Sequence, residues 1–381
     1  MLKLHDVIDV LEGWYPAASA ESWDAVGLTC GDPGAKVNKV LLAVDCVPST
    51  VSEAAHEAAD LLLTHHPLLL SGVHGVPTTD PKGALVHRMI RNEIAHFVAH
   101  TNADVADHGV SAALADRLGL SEIRPLEADV ASKLDQLTVF VPTEDLDKLV
   151  SALATAGAGE LGNYDSCTFT VEGTGTYRPL KGASPADGEI GVRTSKTETR
   201  LSMVLPRGRR EAVIAAMRAA HPYEEVAFEL TEQAALNAST GTGRIGILPQ
   251  AITLRDFVGE VASRLPNTVW GVRAAGDPDK LIQKVAVCGG SGGSYTDLAR
   301  AAGADVYLTS DLRHHGTVEA CSERVNDQEG SAPMALVDAA HWATESPWLD
   351  SVAALLRQSF GAELEVKVSL QVTDPWTLHR H

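Results

Sequence analysis

The chain has 381 residues, enough for two or three domains, and 45% of them are hydrophobic, so full cores can form without disulfide staples. Acidic residues outnumber basic ones by 50 to 31, a net charge of −19, which argues against a general nucleic-acid-binding surface but not against a phosphorylated ligand held beside bound metal. Five cysteines without CxxC spacing (Cys30, Cys46, Cys167, Cys288, Cys321), an N-terminus without a signal-peptide pattern, and no apolar run near the ~20 residues of a membrane span predict a cytoplasmic chain with no membrane partner.

In chain order, residues 4–14 read as a helix, 40–44 as a strand, 50–59 as a helix, 61–64 as a strand, 81–92 as a helix, 94–99 as a strand and 109–118 as a helix. Such alternation predicts a mainly parallel sheet covered by helices. The middle differs. Strand 134–141, helix 145–156, strand 167–171, a Pro/Gly-rich loop over 179–191, strand 200–205, helix 209–220 and strand 226–230 follow β-α-β-β-α-β order, a ferredoxin-like α+β unit. Residues 234–243, small and polar, read as a returning linker. Alternation then resumes with helix 253–264, strand 284–288, helix 295–302, strand 305–309, helix 315–322, strand 334–338, helix 345–358 and a last strand over 364–372. The predicted organisation is a discontinuous α/β domain, 1–130 plus 234–381, interrupted by an insertion over 131–233.

The chemistry gathers where strands end. His65 and His66 stand between the apolar run 61–63 and Pro67, where a turn lets two adjacent imidazoles reach one pocket. Asp104 follows strand 94–99, and His341 and Glu345 lie four apart, on one helix face, after strand 334–338. Ligands in open α/β sheets bind at the C-terminal strand ends. The set His65, His66, Asp104, His341 and Glu345 is too small for two closed shells and suits two metals sharing a carboxylate, with positions open to water. On the first pair alone, two histidines capping a strand is an equal reading.

Several segments, in order, resemble the GTP cyclohydrolase type-two homologue family, also called the NGG-one-interacting-factor-three-like family. They are Ser22–Leu28, Leu63–Leu68, His100–Asp104, Val285–Gly292, Gly303–His315 and His341–Glu345. The resemblance implies that His65, His66, Asp104, His341 and Glu345 bind a pair of divalent metals with Glu345 bridging, and that the chain forms a ring-like homo-oligomer, a hexamer. It places His315 near the cavity but outside the metal ligands, where a proton-transfer or substrate-orienting role is expected. Residues 157–164 and 221–225 resemble the PII-like insertion of the longer members. Ala25, Ser310 and Ala340 depart from residues frequent in the family, and none of the three is a ligand.

Mixed His/carboxylate ligation favours Zn, Mn or Fe over Mg. The leading expectation is a metal-dependent hydrolase acting on a small molecule or nucleotide; the alternative is a non-catalytic metal-binding or regulatory scaffold with a ligand-sensing insertion. Three segments have weaker readings. Gly289–Ser294 is either a phosphate loop or a tight strand-to-helix turn, the spacing favouring the turn. His221, Tyr223, Glu224 and Glu225 read as a helix C-terminal turn rather than a mouth over the metals. Asp45 is a helix cap or a further site group. His96 and the helical histidines read as core or surface residues.

Overall fold

The computed structural model describes residues 1–130, 133–234, 237–322 and 333–380. It is a mixed α/β structure with three sheets. The strands in chain order are β1 (Gly27–Cys30), β2 (Lys39–Ala43), β3 (Leu61–Thr64), β4 (Ala95–Val98), β5 (Ser121–Val130), β6 (Leu134–Pro142), β7 (Phe169–Tyr177), β8 (Thr194–Pro206), β9 (Phe228–Glu232), β10 (Asn237–Thr253), β11 (Val272–Ala275), β12 (Leu281–Val287), β13 (Val306–Thr309), β14 (Ala335–Ala339) and β15 (Glu365–Val368). The chain divides into two compact units, Met1–Asp129 with Ser239–His381, and Val130–Ala238. Among the described residues no helix is long and apolar enough to cross a membrane.

In the first unit, one sheet runs β1-β4-β3-β2-β15, parallel from β4 to β15 and antiparallel at β1. β3 and β4 are buried along their whole length, as strands covered on both faces are. Side chains alternate: Leu62 faces the helices Pro48–His56 and Pro81–Arg91 through Val51, Ala54, Val86 and Met89. Leu61 and Leu63 face Leu4, Leu11, Trp348 and Val352. The second sheet, β11-β14-β13-β12-β10-β5, is parallel only at its centre, with antiparallel pairings of β11 to β14 and β10 to β12. Its Val285, Val287, Leu308 and Val337 join the core that holds Leu61 and Leu63. The C-terminal ends of β3, β4 and β14 therefore carry the candidate residues within one unit.

Four strands escape the sequence reading: β1, β5, β10 and β11. Residues 235 and 236 of the supposed linker lie outside the described residues, but 237–243 are strand. Small residues there serve close backbone approach. A Cβ at Gly241 would stand 2.1 Å from the Glu127 carbonyl oxygen of the neighbouring strand.

The second unit follows β6, helix Leu146–Thr155, β7, β8, helix Arg210–Ala220 and β9. Its four-stranded sheet has the order β7-β8-β6-β9, antiparallel throughout. Leu137, Val139, Leu201 and Met203 share a core with Leu149, Leu153, Val213 and Met217, so the helices cover one face.

Candidate metal centre

β3 ends at Thr64, whose hydroxyl donates to the His66 carbonyl at 2.9 Å and closes the turn there. The backbone N–H groups of His65 and His66 still reach the Ala43 and Val44 carbonyls at 3.3 and 2.8 Å. Both rings are thereby held against one pocket despite their adjacency, with centroids 5.0 Å apart. At the end of β4, His100 precedes the short helix Thr101–Val105, which carries Asp104. After β14, one helical turn, His341–Glu345, sets the His341 Nε2 2.9 Å from the Glu345 Oε1. Glu345 is the hub: its Oε1 lies 3.5 Å from the His65 Nε2 and its Oε2 3.1 Å from the His66 Nε2. Asp104 Oδ1 lies 3.7 Å from the His65 Nε2. Among the described residues two triads have ligand atoms close enough to hold a cation, His65–His66–His100 and His66–His341–Glu345, and they share His66.

The far side of every ring is anchored. The Nδ1 of His65 meets the Ala99 carbonyl at 2.8 Å, that of His66 meets Asp45 at 2.7 Å, that of His100 meets Asp24 at 2.8 Å and that of His341 meets Asp311 at 2.7 Å. Each partner is an acceptor, which assigns the proton to Nδ1 and leaves the Nε2 lone pair directed into the cluster. Asp24 also accepts from the Thr101 N–H and hydroxyl. Trp348 packs on His65 at 5.6 Å and donates its indole N–H to the Tyr15 hydroxyl at 3.1 Å.

The electrostatics call for positive charge. Glu345 is buried, and burial would raise its carboxyl, but the surrounding histidines hold it well below the usual carboxylate range. Burial would lower His66 and His341, yet Glu345, with Asp45 or Asp311, raises them to about 11 and about 10. Asp104 is pushed up to about 6, chiefly by burial. Glu345 Oε2 and Asp104 Oδ1 are buried and accept no hydrogen bond. Such orphaned anionic oxygens are costly in a folded protein unless a cation satisfies them. Imidazole nitrogens and carboxylate oxygens fit a first-row divalent ion, which would displace the protons these groups otherwise hold. Burial pushes the nearby Cys288 thiol up to about 12, and its sulfur belongs to neither triad.

The glycine-rich loop after β12 is a wall of this site. Three of its N–H groups are spent on side chains: Gly289 on the Ser111 hydroxyl (3.3 Å), Gly290 on Thr344 (3.0 Å) and Gly292 on Thr309 (2.8 Å). Those three amides are not free to cradle a phosphate. Gly290 has φ +65°, and a Cβ there would stand 2.4 Å from the Glu345 Oε1, so only glycine lets the loop pass so close to the hub.

A Duf34/NIF3 (NGG1p interacting factor 3) family profile matches residues 2–375. The chain belongs to the Duf34/NIF3 family. It is 47% identical over 378 residues to a protein of Mycobacterium tuberculosis named GTP cyclohydrolase 1 type 2 homolog, covering 99% of this chain and 97% of that one. A Bacillus subtilis protein of the same name is 38% identical over 337 residues, 88% of this chain and 87% of the other. Among solved structures, a Bacillus cereus protein related to NIF3 is 33% identical with a TM-score of 0.70, and Staphylococcus aureus SA1388 is 26% identical with a TM-score of 0.78. Each covers 99% of both chains.

In this Duf34/NIF3 chain the five residues singled out from sequence, His65, His66, Asp104, His341 and Glu345, do come together. His315 does not join them. It is exposed on the helix His314–Ala320, where its described ring neighbour is His314 at 5.3 Å. Asp311, four residues earlier and at φ +56°, is the member of that segment that reaches the cluster, through His341. His100 and Asp24 were missed as site residues, although both lie in the motifs that carried the resemblance. Asp45 is a site group, for it accepts from His66 while Thr50 makes the nearby helix-start bond to Val47 N–H. His96, mid-strand, is a core residue paired with Thr64 at 2.8 Å. The C-terminal segment gave no sequence signal at all. The Thr373 hydroxyl bonds Asp45, Trp376 packs on Trp270 at 5.7 Å, and Asp374, raised by burial and by Asp311 and Asp45, keeps a buried, unpaired Oδ2.

Proposed function

We propose that this protein is a dinuclear divalent-metal hydrolase. The observation that carries the reading is the pair of buried, donor-less carboxylate oxygens, Glu345 Oε2 and Asp104 Oδ1, set among imidazoles whose Nε2 atoms are all turned inward. His65, His66, His100, Asp104, His341 and Glu345 would hold Zn, Mn or Fe. Glu345, with one oxygen toward His341 and His65 and the other toward His66, is placed to bridge. When bound, the ions would supply Lewis-acid activation of water and of the attacked group. Asp45, Asp24 and Asp311 keep the Nδ1 protons in place and fix ring orientation. The name shared by the relatives supports a nucleotide, GTP first, as the substrate to test.

The same reading includes a cytoplasmic protein assembled as a closed homo-oligomer of six copies. His341 and Asp104 remain about one-third exposed, at 33% and 32%, and covering them would exclude bulk water from the ions. The β-α-β-β-α-β order of the second unit supports a ferredoxin-like, PII-like insertion.

One observation favours a second reading, a non-catalytic metal-binding scaffold: His315, the side chain expected to move a proton, is exposed on the helix His314–Ala320. Loading the purified chain with Zn, Mn or Fe(II) and screening GTP, other nucleotides and phosphoesters separates the two. Turnover that Asp104→Ala abolishes supports the hydrolase. Two bound ions with no turnover of any candidate leaves the scaffold.

A further inference from the structure

The second unit contains a cavity that neither the metal centre nor the family name accounts for. Because side chains alternate along a strand, Phe140, Glu198 and Arg200 leave the sheet on the face opposite the buried residues Val139, Thr199 and Leu201. The connection between β7 and β8 folds back over that open face and is pinned there. Tyr177 donates its hydroxyl to the Asp187 carbonyl at 3.0 Å, and the Ser184 N–H donates to the Glu224 carboxylate at 2.9 Å. The enclosed volume is about 630 Å³, within the range of small-molecule sites and well beyond what a lone inorganic anion fills.

The walls define a chemistry. Tyr177 and Tyr223 form an aromatic corner with ring centroids 6.0 Å apart. Tyr223 donates its hydroxyl to Glu198 at 2.9 Å, and burial together with Glu198 raises the phenol, so it remains a donor. This pairing needs Gly175, where a Cβ would stand 1.9 Å from the Glu198 Oε2. The turn that carries Tyr223 is fixed by His221, which bonds the Phe140 carbonyl at 2.9 Å through Nε2 and accepts the Tyr223 N–H at 3.1 Å through Nδ1. Glu198 and Glu224 are thus occupied within the wall. Arg178, Arg200, Glu172 and Glu225 also line the cavity and have no ion-pair or hydrogen-bond partner among the described residues. Unpaired guanidinium groups recognise phosphate or carboxylate, tyrosine faces take a planar ring, and free carboxylates accept from ring N–H or sugar hydroxyl groups.

We propose that this cavity binds a nucleoside phosphate, with its ring against Tyr177 and Tyr223 and its phosphate on Arg178 and Arg200. An aromatic dipeptide shares the pattern of an anionic end and a planar donor-bearing ring. Two guanidiniums suit the nearly double charge of a phosphate monoester better than a single carboxylate. The inference is independent of the metal centre.

Calorimetric titration of the full-length chain, stripped of metal with a chelator so that the histidine cluster cannot take up phosphate through bound ions, tests it. The probes are AMP, GMP, CMP, UMP, inorganic phosphate and the dipeptide tryptophanyl-glutamate. At least one nucleoside monophosphate should bind ten-fold or more tightly than phosphate, and Arg200→Gln should weaken it ten-fold or more. Gly173→Val is the second variant. A Cβ there meets nothing within 4 Å and its φ lies outside the left-handed region, so valine projects into the cavity without opposing the fold. It should abolish binding with the melting temperature unchanged. No monophosphate binding above phosphate, binding unchanged in a folded Gly173→Val protein, or tighter binding of the dipeptide would each overturn the proposal.

Discussion

The histidine cluster and the insertion cavity are both lined by carboxylates, and they differ in what those carboxylates are offered. In the cavity, Glu198 receives a tyrosine hydroxyl and Glu224 a backbone N–H. In the cluster, Glu345 Oε2 and Asp104 Oδ1 are buried with no hydrogen-bond partner, while every neighbouring ring has its Nδ1 proton committed elsewhere. The first arrangement leaves guanidiniums free and suits an organic anion. The second is electrostatically incomplete, and a cation would complete it. A buried acceptor without a donor is therefore more informative than the mere count of acidic groups.

The largest effect expected in breaking this comparison comes from Gly290→Val. The side chain would collide with Glu345 and impose φ +65° on a β-branched residue, so metal affinity should fall a hundred-fold or more, measured by competition with a chromogenic chelator. Gly173→Val in the cavity should leave that affinity untouched. Next come Asp45→Asn and Asp311→Asn, which keep size but weaken the anchors of His66 and His341. Each should cost about 10- to 100-fold in metal affinity with the fold intact.

A smaller effect concerns a histidine outside both sites. Thr64 donates its hydroxyl to the His66 carbonyl, so His96 Nε2 must be the donor to Thr64, and its buried Nδ1 is left without a partner. Burial lowers His96 to about 4, below its value of 6.5 in an unfolded chain. The unfolded state thus binds the extra proton between these values. Stability is full above pH 6.5 and is lost as pH falls toward 4, by on the order of 3 kcal/mol from this group. Urea melts of His96→Leu against the parent across that window should show the parent's loss reduced by about this amount. The smallest expected effect is that of excising residues 133–232 with a short Gly/Ser linker. Metal content per chain should not change, because all candidate ligands lie in the other unit.

Much of this was legible because it is periodic or local. β3 and β4 are short, mostly apolar runs, and His341 and Glu345 are one helical turn apart, so their convergence at strand ends follows from general rules. What was hidden depends on tertiary pairing. β1 and β11 are short edge strands defined by their partners, and β10 reads as a linker because Gly241 must admit a neighbouring backbone. His100 was passed over because Asp104, on the following turn, already explained the motif. Asp311 and Asp24 act through histidines 30 and 76 residues away, which no local pattern encodes. His315 is exposed on the helix that begins at His314, whereas the left-handed Asp311 directs the preceding turn to His341.

The central claim is that Glu345 joins two ions in one centre. Elemental analysis of exhaustively dialysed protein, parent against Glu345→Gln, tests it most directly, since the neutral amide cannot bridge two cations well. The account predicts two divalent ions per chain in the parent and one or none in the variant. Two tightly held ions in Glu345→Gln, or no more than one in the fully loaded parent, would contradict it.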